Sequence, residues 1–591
     1  MEDGDLASGS DVKEKQKSDN EQIVVDSRIP TQAEKEQKYK RSIAGWLIRT
    51  ARVPPHSFMQ RMGPLLPFAV SQLEREVLKI HQERKDKAKK FLKCFDGKLT
   101  ISYDRVAYDD EWEAYDEEWD CSSRDGPVLH KSFVCISVHF VDHNWKVRKW
   151  ILGYSPIEFV REEKVEVYRF RNVILDYEIE DKVSTILVPS YGGIGHKPFG
   201  ALRKWIEKRG KNQIDSCLFR IYCCSDLFRL MAGDVFDNMD LLLEDIRVLV
   251  GWGKMSSTNW NVTLCSLQEA LDMEDKKVFA EDAYYQEQDQ PSDEDWIMIR
   301  TFCKLAGCIY KVAKELFEGG YSTSNVYFHL LAELKVMLNQ ELMSADTDYF
   351  RCKAKEILER FDMYWNDMFL VLATASVLDP RFKMKYLEFY CSKNQVCDEP
   401  SKAETVLDYL HNLYAHYAAS GIPPQTKSPG ATFDSLSYTS EEEDEEEEDE
   451  DDKEEAEEEG DKECVEEEEG GEDKDKEEKK PDAYEDFVLF QEYLKFEESS
   501  REFDESEVDS YLKEPVLEWD KDFKALEWWR EESQKYPILS RIARDILSIP
   551  ISRATSYVAY VADKRECPEF VVTMKAKLVN AMMCSKRWSR L

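Results

Sequence analysis

Four residues with zinc-ligand chemistry, Cys391, Cys397, His411 and His416, follow one another closely enough to raise the question of a metal site. The gap between the two cysteines is wider than the two to four residues typical of structural zinc sites. Both histidines lie in VLDYLHNLYAHY, whose apolar periodicity is already explained by a helix, so neither zinc nor any other cofactor is expected. The glycines of YGGIG lack the GK[ST] ending or the GxGxxG spacing that cradles phosphates. There is no GxSxG, HExxH or kinase signature, and a small-molecule substrate is not expected. Asp104 closes the alternating strand KLTISYD and, taken alone, reads as an exposed strand-end acid. The basic stretch HQERKDKAKK, His81 to Lys90, reads as a solvated helix face rather than a DNA contact.

A second candidate carries association rather than catalysis. In KYPILSRIARDILSIPIS, apolar residues recur at Ile538, Leu539, Ile542, Ala543, Ile546 and Leu547, one broad stripe on a helix. Pro537 stands near its start and Pro550 closes it, with Arg541, Arg544 and Asp545 on the other side. Such a stripe serves either as a core helix or as a subunit contact with a polar rim. Periodicity leaves both open.

The elements that must hold these residues are bounded by composition. A chain of 591 residues with 12% aromatics and 14 tryptophans has ample material for a large core. Of the net charge of −39, roughly −22 falls in Glu441 to Lys480 alone, so a basic surface elsewhere would be local. The 15 cysteines are scattered and odd in number, and the polar N-terminus has no apolar signal region, which points to a reducing compartment. No run is apolar enough over about 18 residues to span a membrane.

Along the chain, residues 1–40 are expected to be disordered and 41–95 helical, with a helix from Phe68 to Phe91. Strands are expected at KLTISYD, in a hairpin from Ser132 with its turn at Asp142–His143–Asn144, at VSTILV, and at IDSCLFRIYCC. Long helices follow from about Trp296 to Tyr390, completing a unit over 96–395. Residues 396–482 read as a linker whose acidic tract repels itself into an extended spacer, or else attracts basic partners. Residues 483–591 return to an aromatic-rich helical pattern.

Several segments together resemble the hAT superfamily of transposases and the plant proteins derived from them. SEVDSYLKEPV, FKALEWWREESQKYPILSRIARDILSIPIS and MMCSKRWSRL are similar to the hAT C-terminal dimerisation region. ERFDMYWNDMFLVLATASVLDPRFKMKYLEFY resembles the family's LDPRFK block, and SFVCISVHFVDHNWKVRKWILGY its hairpin after the first catalytic strand. TNWNVTLCSLQEAL and STSNVYFHLL resemble further blocks in the same order. The resemblance implies a mixed α/β fold: an RNase H-like core with a large helical insertion and a helical C-terminal dimerisation region. It also implies a subunit contact through Trp528, Trp529, Tyr536, Pro537, Ile538, Leu539, Ile542, Ala543, Ile546, Leu547, Ile549 and Pro550.

Such transposases hold two divalent cations on carboxylates, which activate one oxygen and stabilise another in an in-line displacement. Asp104 fits the first acid, although Val106 stands where a tryptophan is expected. VSTILV runs into Pro189 where the second acid would stand, and IPISRATSYVAY places Tyr557 at the third. At a nearby cysteine–histidine motif the chain reads CCSDLFRL, with Asp226 in the histidine's place. Residues 1–93 hold no cysteine, so the BED-type zinc finger of many relatives is not expected here. The expectation is a catalytically inactive, dimerising factor associated with DNA or chromatin in the nucleus, otherwise cytoplasmic, pairing with itself or a related chain. The alternatives are a residual metal-dependent transposase or nuclease, and an acidic chromatin-interaction protein.

Overall fold

The computed structural model describes residues 31–50, 55–62, 66–107, 132–157, 163–188, 196–210, 215–236, 239–249, 260–281, 290–318, 323–393, 399–419, 487–496, 506–553, 565–566 and 574–588. Three helices lead in: α1 (Gln32–Thr50), α2 (Pro55–Met62) and α3 (Val70–Cys94). The first begins inside the stretch expected to be disordered. Its start is fixed by Thr31, whose hydroxyl accepts from the Glu34 amide at 3.3 Å while the Glu34 carboxylate accepts from Thr31. Arg41 and Gln37 then reach Glu76 of α3, so a mostly polar helix is tied down by ion pairing as well as by Ala44, Leu47 and Ile48.

The sheet follows: β1 (Leu99–Ala107), β2 (Ser132–Val141), β3 (Val147–Pro156), α4 (Glu163–Tyr177), β4 (Val183–Val188), α5 (His196–Gly210), α6 (Ser216–Phe219) and β5 (Arg220–Tyr222). Strand order is β3-β2-β1-β4-β5. The hairpin strands are antiparallel, with Asp104 opposite Cys135, while β4 runs parallel to β1 and β5 parallel to β4. This is the RNase H-like arrangement. The turn closes at Asp142, whose carboxylate accepts from the Asn144 and Lys146 amides and from Arg148. IDSCLFRIYCC is corrected: among its described residues only Arg220–Tyr222 is strand, and Ser216–Phe219 before it is a helical turn.

Helices then dominate: α7 (Cys224–Phe236), α8 (Asp240–Leu249), α9 (Trp260–Asp275), α10 (Val278–Glu281), α11 (Asp293–Glu318), α12 (Tyr327–Met343), α13 (Asp348–Val377), α14 (Lys383–Lys393) and α15 (Glu399–Ala419). The last lies inside the expected linker; Ala403, Val406 and Leu410 bury one side of it. The acidic tract lies outside the described residues. After it come α16 (Val488–Leu494), α17 (Glu507–Lys513), α18 (Ala525–Glu531), α19 (Leu539–Leu547), the short strand β6 (Arg565–Glu566) beside β1, and α20 (Ala576–Arg587).

The helical insertion and α16 to α19 share one hydrophobic core with the β5–α7 junction. A second core lies between the sheet and α3, α4 and α5, and a third joins α1, α3 and α20 to the opposite side of the hairpin. Helix α20 covers the edge strand β3, where the Asn580 side chain accepts from the Tyr154 amide at 2.9 Å. Both faces of β1 are therefore buried.

Candidate functional site

Asp104 points from β1 into this buried setting with 9% of its surface exposed, which corrects the exposed strand-end reading. Asp226 sits in the first turn of α7, also buried. One side chain joins them. Arg553 donates from Nη1 to Asp104 Oδ1 at 2.9 Å and from Nη2 to both Asp226 oxygens at 2.5 and 2.6 Å. Its side chain is 15% exposed. Arg229 adds a second guanidinium, 3.9 Å from Asp226.

The backbone that places Arg553 is itself anchored. Ile551 O accepts from the Cys224 amide at 2.9 Å, and the Arg553 amide donates to Cys223 Sγ at 3.2 Å. Burial alone would lower the Arg553 pKa, but Cys223, Asp226 and Asp104 outweigh it and hold the guanidinium firmly charged. Pro189 and Tyr557, at the positions where the family resemblance puts the other acids, lie outside the described residues.

Mg²⁺ takes near-octahedral oxygen ligation, and the paired ions of a phosphoryl-transfer site need several carboxylates. The donor set here does not fit them. Two carboxylates are shared with a guanidinium, and among the described residues no cluster of three His, Cys, Asp or Glu could hold a metal. Cys391 is buried, His411 lies 3.4 Å from Asp509, and Cys397 is outside the described residues.

The basic stretch on α3 keeps Gln82, Asp86, Lys87 and Lys90 exposed, as a solvated helix face would, while two of its lysines are engaged within the chain. Lys85 pairs with Asp176 at 2.5 Å and Lys89 with Glu178 at 2.8 Å, across to α4 and the turn that follows it. His81 stacks on Trp588 with ring centroids 5.6 Å apart and lies 3.0 Å from Ser585 Oγ. Burial, aided by Lys85, lowers its pKa to about 4.

The expected dimerisation residues turn inward. Trp529 Nε1 donates to Leu378 O at 2.8 Å and Tyr511 OH to Val377 O at 2.9 Å, so two aromatic side chains satisfy carbonyls at the C-terminus of α13. The Glu507 carboxylate accepts from the Ile538 and Leu539 amides at 3.0 and 2.9 Å, capping the start of α19. The LDPRFK block is the socket. Asp379 and Arg381 are buried together, joined at 2.7 Å, and Asn325 donates to Asp379 at 2.6 Å. Arg381 also donates to Asp520 O at 2.6 Å and lies over the Trp519 ring at 4.7 Å. Lys383, held at φ 48°, donates to Tyr511 O and Glu514 O.

Helix α19 completes the seam. Leu539, Ile542, Ala543, Ile546 and Leu547 are buried in the chain's own core, as are Trp529, Tyr536 and Ile549. Trp528, Pro537, Ile538 and Pro550 are half-buried. The polar side is no open rim either. Arg544 pairs with Asp96 at 3.3 Å, while Asp545 accepts from the Lys98 amide at 3.1 Å and from Tyr417 OH at 2.9 Å. Gly97 is needed here, because a Cβ on it would meet the Phe95 ring at 2.8 Å and Asp545 at 3.0 Å.

Sequence reasoning singled out Asp104 and asked about Asp226, but passed over Arg553. The sequence carries only a faint signal, an arginine directly after IPIS and four residues before Tyr557, where the family resemblance puts an acid.

An RNase H-like sheet with a helical insertion and an inward-docked C-terminal region defines a transposase-type frame. The description "hAT-like transposase, RNase-H fold" matches residues 325–417, and "hAT family C-terminal dimerisation region" matches 507–589. Through these two regions the chain is similar to the hAT transposase-like family. It is 26% identical over 77% of its length to the rice Zinc finger BED domain-containing protein RICESLEEPER 3, covering 59% of that protein. With Arabidopsis thaliana DAYSLEEPER, of the same description, it shares 25% identity over 78% of its length and 62% of the relative. A rice paralogue, RICESLEEPER 4, is matched at 24% over 90% of this chain and 76% of the relative. The chain thus spans about 60% of the length of the first two relatives.

Proposed function

We propose that this chain is a transposase-derived association factor: a nuclear, DNA- or chromatin-associated protein that pairs with a second copy or a related chain and does not cut DNA. The observation that carries the reading is the Arg553 guanidinium between Asp104 and Asp226. A carboxylate committed to a buried ion pair is a poor metal ligand, and two-metal catalysis fails when its acids are engaged or missing. The sequence supports this with Pro189 and Tyr557 in the other acid positions. Among the described residues no helix is long and apolar enough to cross a membrane.

Pairing would use the outer side of the C-terminal region, where Trp528, Pro537, Ile538 and Pro550 remain half-buried, rather than the α19 stripe. The test of silence is incubation of the purified chain with DNA carrying terminal inverted repeats and Mg²⁺ or Mn²⁺. Neither nicking nor joining is expected. Cleavage that disappears in Asp104→Ala would overturn the reading.

A further inference from the structure

At the acid corner of this sheet the positive charge comes from the chain itself. A planar guanidinium forks onto both Asp226 oxygens and reaches Asp104 with its other terminal nitrogen, at 2.5 to 2.9 Å. Lysine, a point charge on a flexible stem, could not make that three-point contact. The residue carrying it belongs to the segment matched as the C-terminal dimerisation region, whereas Asp104 and Asp226 belong to the sheet and to the helix that follows β5. Its backbone is held at Cys223 and Cys224, so the guanidinium stands on a fixed support.

We propose that Arg553 has taken the seat a divalent cation would need between Asp104 and Asp226, and acts as a permanent strut joining the C-terminal region to the sheet. The proposal rests on the reading that the site is chemically silent and adds what fills it. A metal is exchangeable and a chelator removes it; a side chain is neither. With Arg553 and Arg229 both beside Asp226, a divalent ion would add a third positive centre to a corner that already holds two guanidinium groups, at a large desolvation cost. The Arg553 fork also gives the two carboxylates a common focus. Without the guanidinium the two carboxylates lose a group that bridges them, while Arg229 remains 3.9 Å from Asp226.

The test is thermal unfolding of the full chain in EDTA and in millimolar Mn²⁺. The parent is expected to give the same midpoint in both. Arg553→Ser is expected to unfold at a lower temperature in EDTA and to regain part of the loss in Mn²⁺, and adding Asp226→Asn should abolish the recovery. A parent stabilised by Mn²⁺ to the same extent as Arg553→Ser, or an Arg553→Ser midpoint indifferent to Mn²⁺, overturns the proposal. Should Arg553→Ser not fold, Arg553→Lys decides: a lowered midpoint supports the forked strut, and one equal to the parent's overturns it. DNA cleavage by the parent would defeat the functional reading. A silent parent with a Mn²⁺-indifferent Arg553→Ser variant would defeat only the strut.

Discussion

Glu333 on α12 is a buried carboxylate whose oxygen accepts from the Leu489 amide at 3.0 Å, at the start of α16. Burial raises its pKa to about 7, although the Leu489, Val488 and Phe490 amides and Lys311 pull the other way. A carboxyl whose folded pKa lies above its unfolded value contributes stability below the unfolded pKa and loses it as pH rises through the folded one. Docking of α16 should therefore weaken between about pH 4.5 and 7.5, by up to about 3 kcal/mol. Melting curves across that range should fall for the parent relative to Glu333→Gln; parallel curves would show that the group does not titrate in the folded state. Nothing in the sequence marks Glu333, because burial of an acid inside AELKVML depends on a segment more than 150 residues away. Arg553 was equally hard to see. Motif comparison asks which acids are missing, whereas the folded chain shows which cation fills the gap.

At the level of elements, the LDPRFK block and the C-terminal region behave as socket and plug. Arg381→Met would leave the Asp379 carboxylate buried without its charge partner, a loss of about 3–5 kcal/mol. Asp379→Asn added to it should recover a substantial part, measured by urea unfolding; a single variant as stable as the parent would show that the socket is not held by this pair. The α19 stripe leads to a firmer expectation than its periodicity allowed. Ile542→Asp with Ile546→Asp places two charges in the chain's own core, so loss of the folded state is expected rather than a folded monomer. A folded, soluble double variant in circular dichroism would return the stripe to an exposed interface. Periodicity correctly located the helix, the hairpin, β4 and the long helices, because alternation and the 3.6-residue repeat are local. It did not resolve which partner covers a stripe, and it overextended β5, where the apolar run of CLFRIYCC reads equally as helix or strand.

For the whole molecule, the proposed role is association on a transposase-like frame. Light scattering at micromolar concentration should give the mass of a dimer, and Ile538→Glu, at a half-buried position, should shift it toward the monomer while circular dichroism still shows a folded chain. A monomeric parent would remove the pairing proposal. Deleting Glu441 to Lys480 should leave the melting temperature nearly unchanged, since so charged a tract can bury almost no apolar surface. A large drop would mean that the tract packs on a basic face. The central claim, that a side chain and not a metal fills the acid corner, is open to one direct measurement. Crystals of the full chain soaked in MnCl₂ should be examined by anomalous diffraction at the manganese edge. The account predicts Arg553 density between Asp104 and Asp226 and no anomalous peak there; a manganese peak between the two carboxylates, with Arg553 displaced, would contradict it.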